Sequence, residues 1–112
     1  MDIFKFKYCY KSKHYALILS RENNKYKYLT LTHKSRVNNK NCMRLYHNPN
    51  LNSKRLSYFV PRIKNSPIKN FSKKFLKNFR LSEFDKCKIE EFIKRKSADE
   101  FLKNWLKKKK LL

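Results

Sequence analysis

The sequence predicts an α+β fold: a small antiparallel β-unit over about residues 3–63, followed by C-terminal helices, in a single domain spanning residues 1–112. Three observations carry that expectation. Two stretches with strand periodicity flank an Asn-rich turn, a polar and turn-rich excursion follows them, and six of the eight acids are held back until residues 83–100, where helix-capping signals begin. With 40% hydrophobic and 15% aromatic residues, the chain buries one modest core, and its large rings let it fold despite heavy charge.

Residues 3–10 alternate, with Phe4, Phe6, Tyr8 and Tyr10 on one face and Lys5, Lys7 and Cys9 on the other, the period of a half-buried strand. Lys11-Ser12-Lys13 is a polar connection. Residues 14–20 are continuously apolar at their centre, Tyr15-Ala16-Leu17-Ile18-Leu19, and read as a more deeply buried strand. Arg21-Glu22-Asn23-Asn24 closes a hairpin into a strand over residues 25–33, since Asn supplies the positive φ that Gly usually provides. Residues 34–55 are polar and basic, with Asn38-Asn39-Lys40-Asn41 and His47-Asn48-Pro49-Asn50 on either side of one short strand at 42–46. A loop of that length is either functional or a disordered connector.

Residues 56–63, interrupted by Pro61, read as an edge strand or as one ending at Val60. A linker at 67–71 enters a basic segment in which Phe71, Phe75, Leu76 and Phe79 recur at helical spacing. A short helix over 73–80 is expected there, with Lys73, Lys74, Lys77 and Arg80 either on phosphate or merely solvated. Ser82 is an N-cap with Glu83 and Asp85 in the first turn, and Ser97-Ala98-Asp99-Glu100 is a capping box that begins a second helix or restarts the first. Ile89, Phe92 and Ile93, then Phe101, Leu102, Trp105 and Leu106, mark docking faces, and early acids with late lysines match the helix macrodipole. The helical part spans 71–110. Lys107 to Lys110 with Leu111 and Leu112 read as a frayed end, a nucleic-acid tail or a membrane-surface contact.

Charge names the partner class. Thirty Lys and Arg against eight Asp and Glu give a formal charge of +22, and positions 1–81 hold 20 basic side chains against Asp2 and Glu22 alone, a surplus of 18. A/T-rich codons enrich Lys and Asn, but they enrich Asp and Glu nearly as readily, so the missing acids point to a polyanion. Nucleic acid is expected, RNA in preference to DNA, with basic residues interleaved with rings as in Lys25-Tyr26-Lys27-Tyr28. The expected phosphate contacts are Lys13, Lys25, Lys27, Lys34, Arg36, Lys40, Arg44, Lys73, Lys74 and Lys77, with exposed Tyr26 and Tyr28 stacking on bases.

The longest apolar run is five residues, far short of the roughly 18 a membrane span needs, and the N-terminus lacks signal-peptide features. A soluble cytoplasmic protein without membrane contact is expected. Cys9, Cys42 and Cys87 are odd in number and widely spaced, so reduced thiols are expected. Cys9 with His14, and Cys42 with His47, share a spacing that hints at zinc, but residues five apart on a strand lie about 16 Å apart and meet only if the chain turns between them. Neither a metal nor another cofactor is expected.

The absence of glycine excludes P-loops, Rossmann fingerprints and glycine-bearing nucleophile elbows. Asp2 and Glu22, the acids ahead of Ser82, are too few for a carboxylate-held two-metal nuclease centre. Metal-independent RNA cleavage remains open: it needs a base for the 2′-hydroxyl, a cation for the phosphorane and an acid for the leaving oxygen. His14 opens one strand, Ser20 and Arg21 end it, and Thr30, Thr32, His33, Lys34, Ser35 and Arg36 run off the next. Pairing of the two strands brings His33 towards His14. The candidate catalytic set is His14, His33, Thr32, Ser35 and Arg21, residues that serve equally as polar strand ends and phosphate anchors.

The order of an apolar strand ending in Ser (residues 13–20), an Asn-rich turn and Tyr28-Leu29-Thr30-Leu31-Thr32-His33-Lys34-Ser35 resembles the MazF/PemK-like, ToxN-related toxin endoribonucleases. The resemblance runs from the N-terminus to about Ile63 and implies an SH3-like antiparallel barrel with appended helices. It places a proton-transfer residue at His14, in a His14-Tyr15 pair where the family has Arg-Pro, and the family's Thr or Ser at Thr32 to Ser35. Ser57-Tyr58-Phe59-Val60-Pro61 matches a later strand. An acidic antitoxin or an RNA inhibitor is the implied partner, and a homodimer an assembly open to it. Three functions stand: a metal-independent endoribonuclease, a non-catalytic RNA- or DNA-binding module, and a mobile-element interaction protein that docks an acidic partner.

Overall fold

A computed structural model describes residues 4–110, with side chains described for residues 4–96. The chain divides into two compact units, Met1–Ser82 and Glu83–Leu112.

The first unit is built on an antiparallel meander of β1 (Lys5–Cys9), β2 (His14–Glu22) and β3 (Lys25–Thr32), with Cys9 opposite His14 and Glu22 opposite Lys25. Ala16, Leu17 and Ile18 are at most 1% exposed, which is why the continuously apolar segment takes the middle position. The turn into β3 has Asn23 at φ 55°. A side chain with a Cβ in this left-handed region costs about 1 kcal/mol unless it is Gly, Asn or Asp. Asn23→Ala therefore lowers stability by about 1 kcal/mol, whereas Asn23→Gly holds or raises it; urea denaturation midpoints check both. The same device closes β4 (Arg36–Val37) onto β5 (Lys40–Asn41): Asn38 and Asn39, at φ 51° and 62°, give the two positive φ angles of a type I′ turn.

Beyond the meander come β6 (Met43–Arg44), β7 (Tyr58–Phe59) and β8 (Lys64–Pro67). The main sheet runs β1-β2-β3-β7-β6, and β8 also pairs with β3. The free side of β3 is thus shared: Lys25 to Tyr28 pair with β8, and Leu31 and Thr32 with β7. The expected barrel is not closed, because β1 and β6 remain at opposite edges. Closure requires staggered strands long enough to bond on both sides, and β4 to β7 are two residues each. Lys64-Asn65-Ser66-Pro67 lacks strand periodicity; the β3 ladder holds it in place, with Ser66 its one buried residue.

The helix expected over 73–80 does not form. A 3₁₀ turn, Ile68–Asn70, leads instead into an irregular strap along the outer edge of β1. Tyr10 N–H donates to the Asn70 carbonyl at 2.8 Å, Ser72 N–H to the Tyr8 carbonyl at 2.8 Å and Leu76 N–H to the Phe6 carbonyl at 2.9 Å. A helix would have bonded those strap amides internally and left the edge of β1 open. Two of the rings at helical spacing still face inward. Phe71 packs edge-on against Tyr26 and Tyr28 at 5.2 and 5.1 Å, and Phe79 lies 5.4 Å from Phe6 and 4.6 Å from Tyr15. With the strap in place both faces of β1 are covered, so Phe6, Lys7 and Cys9 are all buried. Phe6 also stacks on Phe59 at 6.2 Å in the core.

The long excursion is ordered by its own side chains. Asn48 Oδ1 accepts from Asn50 N–H and Asn50 Oδ1 from Asn52 N–H, both at 3.0 Å, while Asn48 Nδ2 donates to the Arg55 carbonyl at 3.0 Å. These are side-chain turns of the kind Asn forms in place of secondary structure. Leu51 N–H to Asn78 and Arg80 N–H to Pro49 then tie the loop to the strap.

The second unit is one helix, α1 (Glu83–Lys110), beginning after Ser82 with Glu83 and Asp85 in its first turn. It runs unbroken past Ser97, so a single C-terminal helix stands in place of the several expected. The side chains of the 97–100 capping box and of Phe101, Leu102, Trp105 and Leu106 lie outside the described residues, as do Leu111 and Leu112. Among the described residues no helix is long and apolar enough to cross a membrane.

The three cysteines are unbridged thiols in different settings: Cys9 is buried, Cys42 is half-buried with burial raising its pKa, and Cys87 is exposed. A raised pKa means less thiolate at a given pH, and thiolate is the reactive form. One thiol, Cys87, is expected to react rapidly with a disulfide reagent in native protein; two fast thiols would contradict this assignment.

Candidate functional site

Antiparallel pairing of β2 with β3, with Ala16 opposite Thr30, puts the start of one strand beside the end of the other. The β1–β2 turn sets the first of these. Lys13 N–H donates to the Cys9 carbonyl at 2.9 Å with Lys13 at φ 58°, which starts β2 at His14. The second follows directly from the length of β3, which ends at Thr32 and leaves His33 in the outgoing bend.

A groove of about 420 Å³ lies at this junction and has both His14 and His33 in its lining. Lys13, Lys34 and Arg55 line it as cations, Thr32, Asn48 and Asn50 as neutral polar groups, and Tyr15 and Leu31 as apolar wall. No carboxylate among the described residues lines it.

The two imidazoles are held alike. His14 Nδ1 lies 2.7 Å from the Ser12 carbonyl oxygen and His33 Nδ1 lies 3.0 Å from that of Leu56. A carbonyl only accepts, so each Nδ1 carries the hydrogen and, in the neutral ring, Nε2 is the bare nitrogen. Both side chains are exposed and so reachable by a substrate. Thr32 and Asn48 act as fastenings: Thr32 Oγ1 accepts the Lys34 N–H at 3.1 Å, and both ends of the Asn48 amide are used within the loop.

Other expected site residues are elsewhere. Ser35, Arg36 and Lys40 belong to the β4–β5 hairpin, where the Ser35 carbonyl accepts from Cys42 N–H at 2.8 Å and Arg36 Nη2 donates to the Asn39 carbonyl at 3.4 Å. Arg21, at the far end of β2, lines a different groove together with Lys73. Neither Ser35 nor Arg21 joins the two histidines, and Arg55 is the arginine that does. Lys25, Lys27, Arg44, Lys74 and Lys77 do not line the groove; Lys27 Nζ sits 3.8 Å from Glu22.

Tyr26 and Tyr28 are a correction of another kind. They are 5% and 6% exposed with Phe71 against their rings, so they present no face to a base. Burial, and secondarily Cys9, raises the pKa of the Tyr28 phenol. Tyr15 and Tyr10, 37% and 59% exposed, are the accessible rings beside the basic grooves.

Arg55 and Asn50 carry no sequence signal of their own, because side-chain turns fold a distant loop back to the strands. Cys9 and His14 do face each other across the β1–β2 turn, the condition a shared zinc requires. Cys9 is only 1% exposed, and no group of three His, Cys, Asp or Glu fit to hold a metal occurs among the described residues. No family model, curated protein or solved structure matches this chain.

Proposed function

We propose that the protein binds RNA and cleaves it without a metal ion at the groove between the start of β2 and the end of β3. The observation that carries this reading is the pair of imidazoles in one cationic groove, each with Nδ1 tied to a carbonyl and Nε2 left for chemistry. One neutral ring takes the proton of a 2′-hydroxyl, and that oxygen attacks the adjacent phosphorus. The bond to the 5′-oxygen breaks, and the other ring, protonated, supplies the proton to that leaving group. Lys13, Lys34 and Arg55 offset the charge that builds on the phosphorane. The products are a 2′,3′-cyclic phosphate and a 5′-hydroxyl, and the exposed face of Tyr15 receives a neighbouring base. The likeness to toxin endoribonucleases points the same way and adds an acidic antitoxin or an inhibitory RNA as the natural restraint.

Incubation with labelled RNA and matching DNA in EDTA tests the reaction. Discrete RNA fragments with cyclic ends are expected, with DNA bound but intact because it lacks the 2′-hydroxyl. Intact RNA under conditions of full binding would leave the second reading, a non-catalytic nucleic-acid-binding module, which the surplus of 18 positive charges over positions 1–81 supports without any histidine chemistry. Three groove cations that each displace one counterion give a log–log salt slope of about −2 or steeper for single strands. A near-flat slope would favour an acidic protein as the partner.

A further inference from the structure

A second groove of about 800 Å³ in the first unit is lined by four cations, Lys7, Arg21, Lys69 and Lys73, with no carboxylate among the described residues in its lining. Arg21, Lys69 and Lys73 are exposed, whereas Lys7 is only 5% exposed. Its Nζ donates to the Lys73 carbonyl at 3.1 Å and sits 5.1 and 4.7 Å from the ring centres of Tyr26 and Phe75. Burying an ammonium is costly unless an anion or a full set of acceptors meets it. One carbonyl takes one of its three hydrogens, and the one acid between residues 4 and 82, Glu22, pairs with Lys27 instead. Among the described residues of the first unit, the buried charge is therefore positioned by two rings and a carbonyl, and no carboxylate of theirs meets it.

We propose that this groove holds the phosphodiester backbone of a single-stranded nucleic acid, as a docking site distinct from the groove that carries the imidazoles. The inference rests on the nucleic-acid reading above and extends it. Phosphate is the anion whose repeat suits several cations along one trough, and the trough runs from Tyr10 at the β1–β2 turn to Arg21 near the far end of β2. Tyr10, 59% exposed, gives an unstacked base a ring to lie on, which a duplex does not offer. The same four-residue turn carries Tyr10 in this groove and Lys13 in the other, so one strand that crosses the turn engages both. Long RNA is then held by the second groove while the first one cuts.

The test uses the full chain, a fluorescent 12-nucleotide oligouridylate and its deoxy counterpart. The exposed triple variant Arg21→Gln, Lys69→Gln, Lys73→Gln is expected to bind both about tenfold or more weakly, with the log–log salt slope shallower by about 2. Cleavage of a dinucleotide, too short to reach both grooves, keeps its rate, while KM for long RNA rises at unchanged kcat. A matched variant, Lys54→Gln, Arg62→Gln, Lys64→Gln, loses the same charge outside both grooves and is expected to weaken binding less than threefold. Equal weakening by the two variants means a bulk-charge effect and overturns the second groove, whether or not RNA is cut. Loss of affinity confined to the first variant, with no RNA cut by any protein, upholds the groove and refutes the nuclease. Failure of the unaltered protein to bind either oligonucleotide overturns both.

Discussion

Changing both His14 and His33 to Ala is expected to lower the proposed RNA cleavage by a factor of about 10³ or more, while binding stays within about threefold. A positioned general acid or base contributes about 10² to 10⁴, and the two groups act in one transition state, so their losses do not multiply. Each single variant is expected to fall at least about 10²-fold. Binding is expected to persist because Lys13, Lys34 and Arg55 still line the groove and neither ring is needed to neutralise phosphate. Initial rates on labelled RNA, beside filter binding of the same RNA, measure this. Cleavage that survives in the double variant would remove the groove as the site of chemistry.

The largest effect on stability is expected from Phe59→Ala. Phe59 is 0% exposed, stacks on Phe6 at 6.2 Å, and lies on β7 opposite both Leu31 of β3 and Met43 of β6. Truncating a fully buried Phe costs about 3–5 kcal/mol through lost transfer energy and the cavity left behind. Small domains have about 5–15 kcal/mol in total, and 1 kcal/mol moves the midpoint of a unit this size by about 4–8 °C. A fall in Tm of about 12 °C or more follows, read by circular dichroism. The effect exceeds that of an ordinary core truncation because β7 joins β6 to the sheet and no other strand among the described residues pairs with β6. A fall under about 5 °C would mean that the sheet does not depend on this ring.

The meander was legible because its signals are local. Alternation, a continuous apolar centre and an Asn-Asn turn set three strands to within two residues, and strand order alone then places His14 beside His33. Later elements depend on partners remote in sequence. Phe71, Phe75, Leu76 and Phe79 recur at helical spacing, yet the edge of β1 supplies hydrogen bonds that a helix could not, so the spacing identifies inward side chains without the conformation. Lys64-Asn65-Ser66-Pro67 is a strand only because β3 is there to pair with it. Arg55 reaches the groove through Asn48 and Asn50, whose turns look in sequence like any polar loop. Tyr26 and Tyr28 mislead for the same reason: lysines on either side suggest exposure, while the strap covers the face they share.

A protein that makes its tight turns without glycine also ages differently. Asparagine loses its side-chain ammonia when the next residue's backbone nitrogen attacks its carboxamide, and a following glycine, the least hindered neighbour, makes that ring closure fastest. Here Asn23 is followed by Asn24, Asn38 by Asn39 and Asn39 by Lys40, and no asparagine in the chain precedes a glycine. The left-handed turns are thus built from residues whose neighbours slow the formation of succinimide and isoaspartate. A chain with a formal charge of +22 is in this way shielded from the slow appearance of new carboxylates at its own left-handed turns.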